Sequence, residues 1–190
     1  LLSSVFLLSI FLTANGVSSI FSSFEGSYHV ELSRSFIRQY LYSTMVGILL
    51  ALLLLVGVMA FVFFEIFILS NLDELIPSEI NWIRIGQLFF YTILIYISVA
   101  ILYYFGTIEG KKTRFFSPGA LMTCLLILLT TYFFGLYIEN FSRYNQLYGS
   151  IGALLIFLFY IWLNSSVLLL GFELNATLNR LKNTKQLGSG

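Results

Sequence analysis

Two long stretches without charge dominate the second half of the chain. Residues 115–138 and residues 144–172 contain no Asp, Glu, Lys or Arg, and a connector rich in Tyr and Asn separates them. A helix rises about 1.5 Å per residue, so each stretch can cross a hydrocarbon layer about 30 Å thick. The pair therefore predicts a transmembrane helical hairpin with a solvent-facing turn.

The same pattern recurs upstream, in the uncharged runs 1–24, 39–64 and 85–108. With 58% hydrophobic and 10% charged residues, the composition excludes a soluble globular domain, in which about a quarter of the residues are charged. The predicted fold class is all-α, a polytopic transmembrane helical bundle that forms a single membrane domain over residues 1–187. Because the chain starts without Met inside an apolar run, we interpret it as part of a longer protein, with residues 188–190 as a linker remnant.

The first residues show a divided pattern. Residues 1–12 predict the end of a span whose start is missing. Over residues 16–29, apolar side chains recur at helical spacing opposite a serine-rich face, which predicts an amphipathic helix lying flat at the membrane surface. The alternative is that the first span continues and packs its serine face against other helices. Four complete spans are then expected, at about residues 42–69, 84–106, 118–138 and 149–173.

The positions of Lys and Arg predict the orientation. Eight of the ten basic residues fall on the first and third connectors and on the C-terminal tail, which must share one side of the membrane. The positive-inside rule makes that side cytoplasmic. We therefore expect a multi-pass protein with a cytoplasmic C-terminus and with periplasmic connectors at residues 70–82 and 139–148.

Several spaced motifs in the second half carry a family resemblance. They are Pro118, Gly119, Gly135, Tyr137, Asn140, Tyr144, Asn145, Tyr148, Gly149 and Gly152, followed by the run Gly171-Phe172-Glu173-Leu174-Asn175. In this order they resemble the YihY/BrkB family of bacterial inner-membrane proteins, which were formerly labelled ribonuclease BN. The resemblance implies an inner-membrane protein linked to the cell envelope and to virulence.

The last predicted span has a stripe of polar and small residues, and two interpretations of it stay open. The stripe either packs against neighbouring helices, because small residues let backbones approach and amides find partners there, or it forms the wall of a substrate cavity. The Tyr-rich and Asn-rich connector is interpreted as a self-bonded turn, with a periplasmic gate as the alternative. The candidate residues of the stripe are Tyr160, Asn164, Ser165, Gly171, Glu173 and Asn175.

The residue inventory argues against most enzyme chemistry. One His, one Cys and one Asp occur in the whole chain, so a metal centre, a catalytic residue set and a cofactor site are not predicted. The ribonuclease label is treated as a misassignment, because a metal-dependent nuclease needs clustered ligands beside an open cleft. We expect the lipid bilayer and a lipid or small-molecule substrate as partners, and no nucleic acid. The leading hypothesis is a transporter-like or lipid-handling protein; the alternatives are a scaffold for envelope machinery and a membrane-bound ribonuclease.

Overall fold

The chain forms five long helices in the computed structural model, which describes residues 2–27, 34–64, 66–67, 82–108, 110, 115–141 and 145–187. Within this part of the chain, every long regular element is an α-helix. The helices are α1 (Leu2–Glu25), α2 (Phe36–Phe64), α3 (Trp82–Gly106), α4 (Pro118–Phe141) and α5 (Asn145–Leu187).

All five helices are long and apolar enough to cross a membrane, judged by length and composition. α2 shows why most clearly, because it contains no charged residue between Arg38 and its end at Phe64. Leu, Ile, Val and Met occur on all of its sides, so no face is reserved for water, as expected of a helix surrounded by apolar groups. The predicted all-α transmembrane bundle is confirmed.

Each helix packs against the next one along the chain. α1 also contacts α3 and α5, so the first helix meets the last one in space. Consecutive secondary-structure elements are usually adjacent in space, and these helices follow that tendency.

α1 is one continuous helix, so the predicted separate surface helix over residues 16–29 is not observed; the last two of those residues lie outside the described part. Local hydrogen bonds explain the difference. The hydroxyl of Ser23 donates to the carbonyl of Ser19 at 3.0 Å, and a hydroxyl bonded in this way does not require water. On α2, Nε2 of Gln39 donates to the hydroxyl of Ser22 at 2.8 Å. The serine-rich face is therefore compatible with an unbroken first span, which was the alternative.

Other helix boundaries also differ from the predicted ones. α2 begins at Phe36, before the expected start near residue 42, and its expected end near residue 69 lies outside the described residues. α4 continues to Phe141, while α5 starts at Asn145 and runs past residue 173 to Leu187. The predicted turn over 139–148 is therefore mostly helical, because it contains no Gly or Pro to end either helix.

The buried core is concentrated at one end of the bundle, where α1 and α3 end and α2 and α4 begin. We call this region the packed end, and it also includes residues 167–175 of α5. The apolar side chains of its core cluster are Val17, Phe21, Phe24, Val46, Val99, Ile101, Leu102, Tyr103, Ala120 and Phe172.

The other half of the bundle is loosely packed. Among its described residues, most large apolar side chains are exposed on the outside of the helices. Paired contacts hold it together: the ring centroids of Phe61 on α2 and Tyr91 on α3 lie 5.4 Å apart, and those of Phe134 on α4 and Tyr160 on α5 lie 4.4 Å apart. We define the loosely packed half as residues 52–64, 84–94, 125–139 and 152–164.

Candidate functional site

The start of α4 is bound to α5 at the packed end. Ser117 precedes the helix, and its hydroxyl accepts the N–H of Ala120 at 3.3 Å, which satisfies one of the N–H groups that a helix start leaves unpaired. The N–H of Gly119 donates to Oδ1 of Asn175 on α5 at 2.8 Å. Nδ2 of Asn175 donates in turn to the hydroxyl of Ser117 at 2.7 Å. Both ends of the buried Asn175 amide therefore hold the start of α4.

Two glycines allow α4 and α5 to approach closely beside Asn175. A Cβ atom at Gly171 would overlap the hydroxyl oxygen of Thr123 and would lie 2.9 Å from the carbonyl oxygen of Gly119. A Cβ atom at Gly119 would overlap the carbonyl oxygen of Gly171. Small residues at a helix crossing permit such an approach of the backbones. Gly171 and Asn175 of the predicted stripe thus lie in the contact between α4 and α5.

The hydroxyl of Tyr103 connects three helices in the interior of the packed end. It donates to the carbonyl of Leu168 on α5 at 2.6 Å, and it lies 2.6 Å from the hydroxyl of Thr123 on α4. Because Tyr103 gives its own proton to Leu168, Thr123 is the donor in the second bond. A buried polar group in an apolar layer is costly without partners, and here both hydroxyls are paired.

Phe24, near the end of α1, lies between α3 and α5. Its ring stacks on Phe172 of α5 with centroids 4.3 Å apart and 9° between the ring planes. It also meets Tyr103 of α3 edge to face at 5.6 Å. The side chain is 1% exposed, so the ring fills the space between the two helices.

Charged and polar groups surround this aromatic cluster on the side of the first connector. Nη1 of Arg34 donates to the carbonyl of Phe105 at 2.7 Å, near the C-terminal end of α3, where a cation is favourable. The N–H of Arg34 donates to the carboxylate of Glu25 at 3.3 Å. Burial lowers the pKa of Arg34, although Glu25 opposes this shift. Glu173, the one acidic residue of the stripe, accepts a hydrogen bond from Ser27 at 3.4 Å.

The remaining stripe residues lie in the loosely packed half. The hydroxyls of Tyr160 and of Thr131 on α4 are 2.8 Å apart, and Oδ1 of Asn164 is 3.3 Å from the hydroxyl of Thr130 on α4. Both residues therefore contact α4. The exposed hydroxyl of Ser165 instead donates to the carbonyl of Ile161 in its own helix at 2.9 Å.

The described residues that carry the family resemblance lie at several places in the bundle. Pro118 begins α4 and Gly119 contacts α5, whereas Gly135 is exposed, and a Cβ atom there would meet no neighbouring atom within 4 Å. Tyr137 lies 6.5 Å from Phe134, ring to ring. Gly152 is half-buried on α5. Asn140, Asn145, Tyr148 and Gly149 are helical positions whose side chains lie outside the described set, and Tyr144 is outside it altogether.

Sequence reasoning does not single out the residues with the most contacts. In the sequence, Phe24 is only one member of an apolar stripe, and Tyr103 and Arg34 are not candidates. Ser117 carries a usable signal, because a Ser directly before Pro118 is typical of a helix start. For Tyr103, a Tyr within an apolar run gives no indication of its partner.

The polar side chains of the packed end are engaged with one another. Among the described residues, no group of three or more His, Cys, Asp or Glu side chains could hold a metal ion. The polar groups found at the packed end bind each other across helices, which fixes helix positions. The charged residues Glu25, Arg34 and Glu173 take part in contacts of this kind.

Comparisons with known proteins agree with the membrane character of the fold. A family model described as virulence factor BrkB matches residues 1–189. The putative ribonuclease-like protein YfkH of Bacillus subtilis is 29% identical over 174 residues, which are 89% of this chain and 62% of that protein.

Shorter matches extend to UPF0761 membrane proteins. One from Xanthomonas campestris pv. campestris is 29% identical over 87 residues, and one from Xanthomonas oryzae pv. oryzae is 31% identical over 83 residues. These matches cover 46% and 44% of this chain and 20% of each relative. The chain thus spans 62% of the Bacillus protein and a fifth of the Xanthomonas proteins. No solved structure matches the chain.

Proposed function

The chain belongs to the family of virulence factor BrkB, and from this premise we propose that it is a transporter-like protein of the bacterial inner membrane that moves lipids. It is a membrane protein by its family and by its five apolar helices.

The uneven packing of the bundle is the observation that supports transport. The core cluster fills the packed end, whereas most of the large apolar side chains described in the loosely packed half are exposed. A transporter of lipids needs one closed end and one end whose helices can separate to admit an acyl chain. Hydroxyl and amide groups of Tyr160 and Asn164 lie in the loosely packed half, where a lipid head group requires polar partners.

The expected orientation of the chain indicates which leaflet a lipid would use. By the positive-inside rule, the packed end with Arg34 and Arg38 is cytoplasmic and the loosely packed half faces the periplasmic leaflet. The C-terminal tail, with Arg180, Lys182 and Lys185, is then also cytoplasmic. A lipid would enter or leave through the periplasmic leaflet.

A membrane scaffold for envelope machinery is the second candidate, and one observation favours it. Tyr160 and Asn164 already bind Thr131 and Thr130, so these polar groups of the last helix are engaged in helix packing. A scaffold needs such contacts but no movement of the helices.

A lipid-transfer assay separates the two candidates. Purified protein is placed in vesicles that contain phosphatidylethanolamine with a fluorescent head-group label, and dithionite quenches the label in the outer leaflet. We expect the protein to raise the quenched fraction above that of protein-free vesicles. Tyr160→Phe should slow the transfer, whereas Ser166→Ala, a matched change on α5 whose hydroxyl bonds only its own helix at 2.9 Å, should not. Equal quenching with and without protein would reject lipid transport and favour the scaffold.

A further inference from the structure

Phe24 is one of three α1 side chains in the core cluster of the packed end, beside Val17 and Phe21. Phe24 stacks on Phe172 of α5 at 4.3 Å and meets Tyr103 of α3 at 5.6 Å. The ring occupies a notch beside Gly106, because a Cβ atom at that position would lie 2.6 Å from Cδ2 of Phe24. The space for the ring therefore exists only while residue 106 has no side chain.

Two polar contacts also join helices at the packed end. The hydroxyl of Ser27 donates to Oε1 of Glu173 at 3.4 Å, which connects the end of α1 to α5. Nη1 of Arg34 donates to the carbonyl of Phe105 at 2.7 Å, which connects the start of α2 to α3. None of the three contacts involves the α4–α5 crossing at Gly119 and Gly171. They can therefore break without separating α4 from α5.

We infer that Phe24, the Ser27–Glu173 contact and the Arg34–Phe105 contact form a lock that keeps the packed end closed. In the locked state the Phe24 ring fills the space between α3 and α5. In the open state the hairpin of α1 and α2 withdraws, the ring leaves its notch, and an aqueous path reaches the interior of the packed end. The inference rests on the proposed function, since a transporter must open the end that the structure has closed.

The chain contains its own reporter of this opening. Cys124 is 3% exposed and follows Thr123, whose hydroxyl binds the hydroxyl of Tyr103, and the Tyr103 ring packs against Phe24. Its Sγ lies 3.5 Å from the carbonyl oxygen of Thr92, so the thiol lies in the seam between α3 and α4. Withdrawal of Phe24 uncovers one end of that seam.

The test measures how fast a small charged methanethiosulfonate reagent labels Cys124 in purified protein held in lipid nanodiscs, which leaves both faces accessible. Two variants weaken the lock independently: Phe24→Ala removes the ring, and Gly106→Ala fills its notch. We expect both to raise the labelling rate by about tenfold, since ring contacts of this kind shift a local opening equilibrium by roughly that factor. Phe159→Ala, an exposed change on α5, is the matched control and should label like the parent protein.

A second arm closes the lock instead of opening it, and so does not depend on the folding of weakened variants. Ser27→Cys is combined with Glu173→Cys, the introduced thiols are oxidised to a disulfide, and peptide mass spectrometry follows the label on Cys124. The oxidised protein should label more slowly than the same protein after reduction. Equal rates in the two forms, or a parental rate in both folded variants of the first arm, would overturn the lock. Because this readout needs no transport, a working lock without lipid transfer would reject only the proposed function.

Discussion

Replacing Gly171 with Ala is the sharpest test of the contact between α4 and α5. The added methyl group would overlap the hydroxyl of Thr123 and would lie 2.6 Å from the hydroxyl of Tyr103. Neither atom can move freely, because the two hydroxyls bind each other and Tyr103 also binds the carbonyl of Leu168. The helices must therefore separate, or both hydrogen bonds of Tyr103 must break.

The expected loss can be estimated from these contacts. Overpacking of a well-filled interior costs about 1–3 kcal/mol. Two interhelical hydrogen bonds add roughly 0.6 kcal/mol each. Ala gains about 1 kcal/mol over Gly in helix propensity, which offsets part of this cost. We therefore expect Gly171→Ala to lower the free energy of unfolding by about 1–3 kcal/mol.

Gly135→Ala is the matched control. Gly135 lies on α4 with no neighbouring atom within 4 Å of the added methyl position, so only the helix-propensity gain of about 1 kcal/mol applies. Reversible unfolding in mixed detergent micelles, followed by circular dichroism, measures both variants. The two substitutions should shift stability in opposite directions. A Gly171→Ala protein as stable as Gly135→Ala would refute the close approach of the helices.

Three further predictions concern other parts of the chain. Asn164→Leu should destabilise the protein by roughly 0.6 kcal/mol through loss of the contact with Thr130, whereas the exposed Phe159→Leu should be nearly neutral in the same unfolding assay. In a Cys124→Ser background on intact cells, an impermeant thiol reagent should label Ser78→Cys and not Thr113→Cys, and the reverse pattern would invert the proposed orientation. Purified protein should cleave no RNA with any divalent metal, because the sequence has one His, one Cys and one Asp; metal-dependent cleavage abolished by a point substitution would contradict this.

Sequence reasoning succeeds where a single helix decides the outcome. The third span is expected at residues 84–106 and is observed at Trp82–Gly106, because the uncharged run sets its length. Pro118 begins α4 as its fixed backbone angle suggests. Such features depend on local composition, which can be read directly from the sequence.

Sequence reasoning fails where two segments of the chain meet in space. The serines of α1 suggest a membrane surface, yet Ser22 has a partner in Gln39, which lies on the next helix. The same limit applies to Phe24, since an apolar stripe does not identify the helices that it contacts. Hydrogen bonds between helices depend on relative position and rotation, and hydrophobic periodicity contains neither.

The run from Gly171 to Asn175 shows how neighbouring residues of one helix can have different roles. Residues four apart lie on the same face of a helix, so Gly171 and Asn175 both meet α4. Phe172 is rotated away from that face and stacks on Phe24 of α1. One turn of α5 therefore carries a fixed contact on one face and the proposed lock on another. If α1 withdraws from Phe172, the amide of Asn175 still holds the start of α4, so α4 and α5 can remain a rigid pair against which the first two helices move.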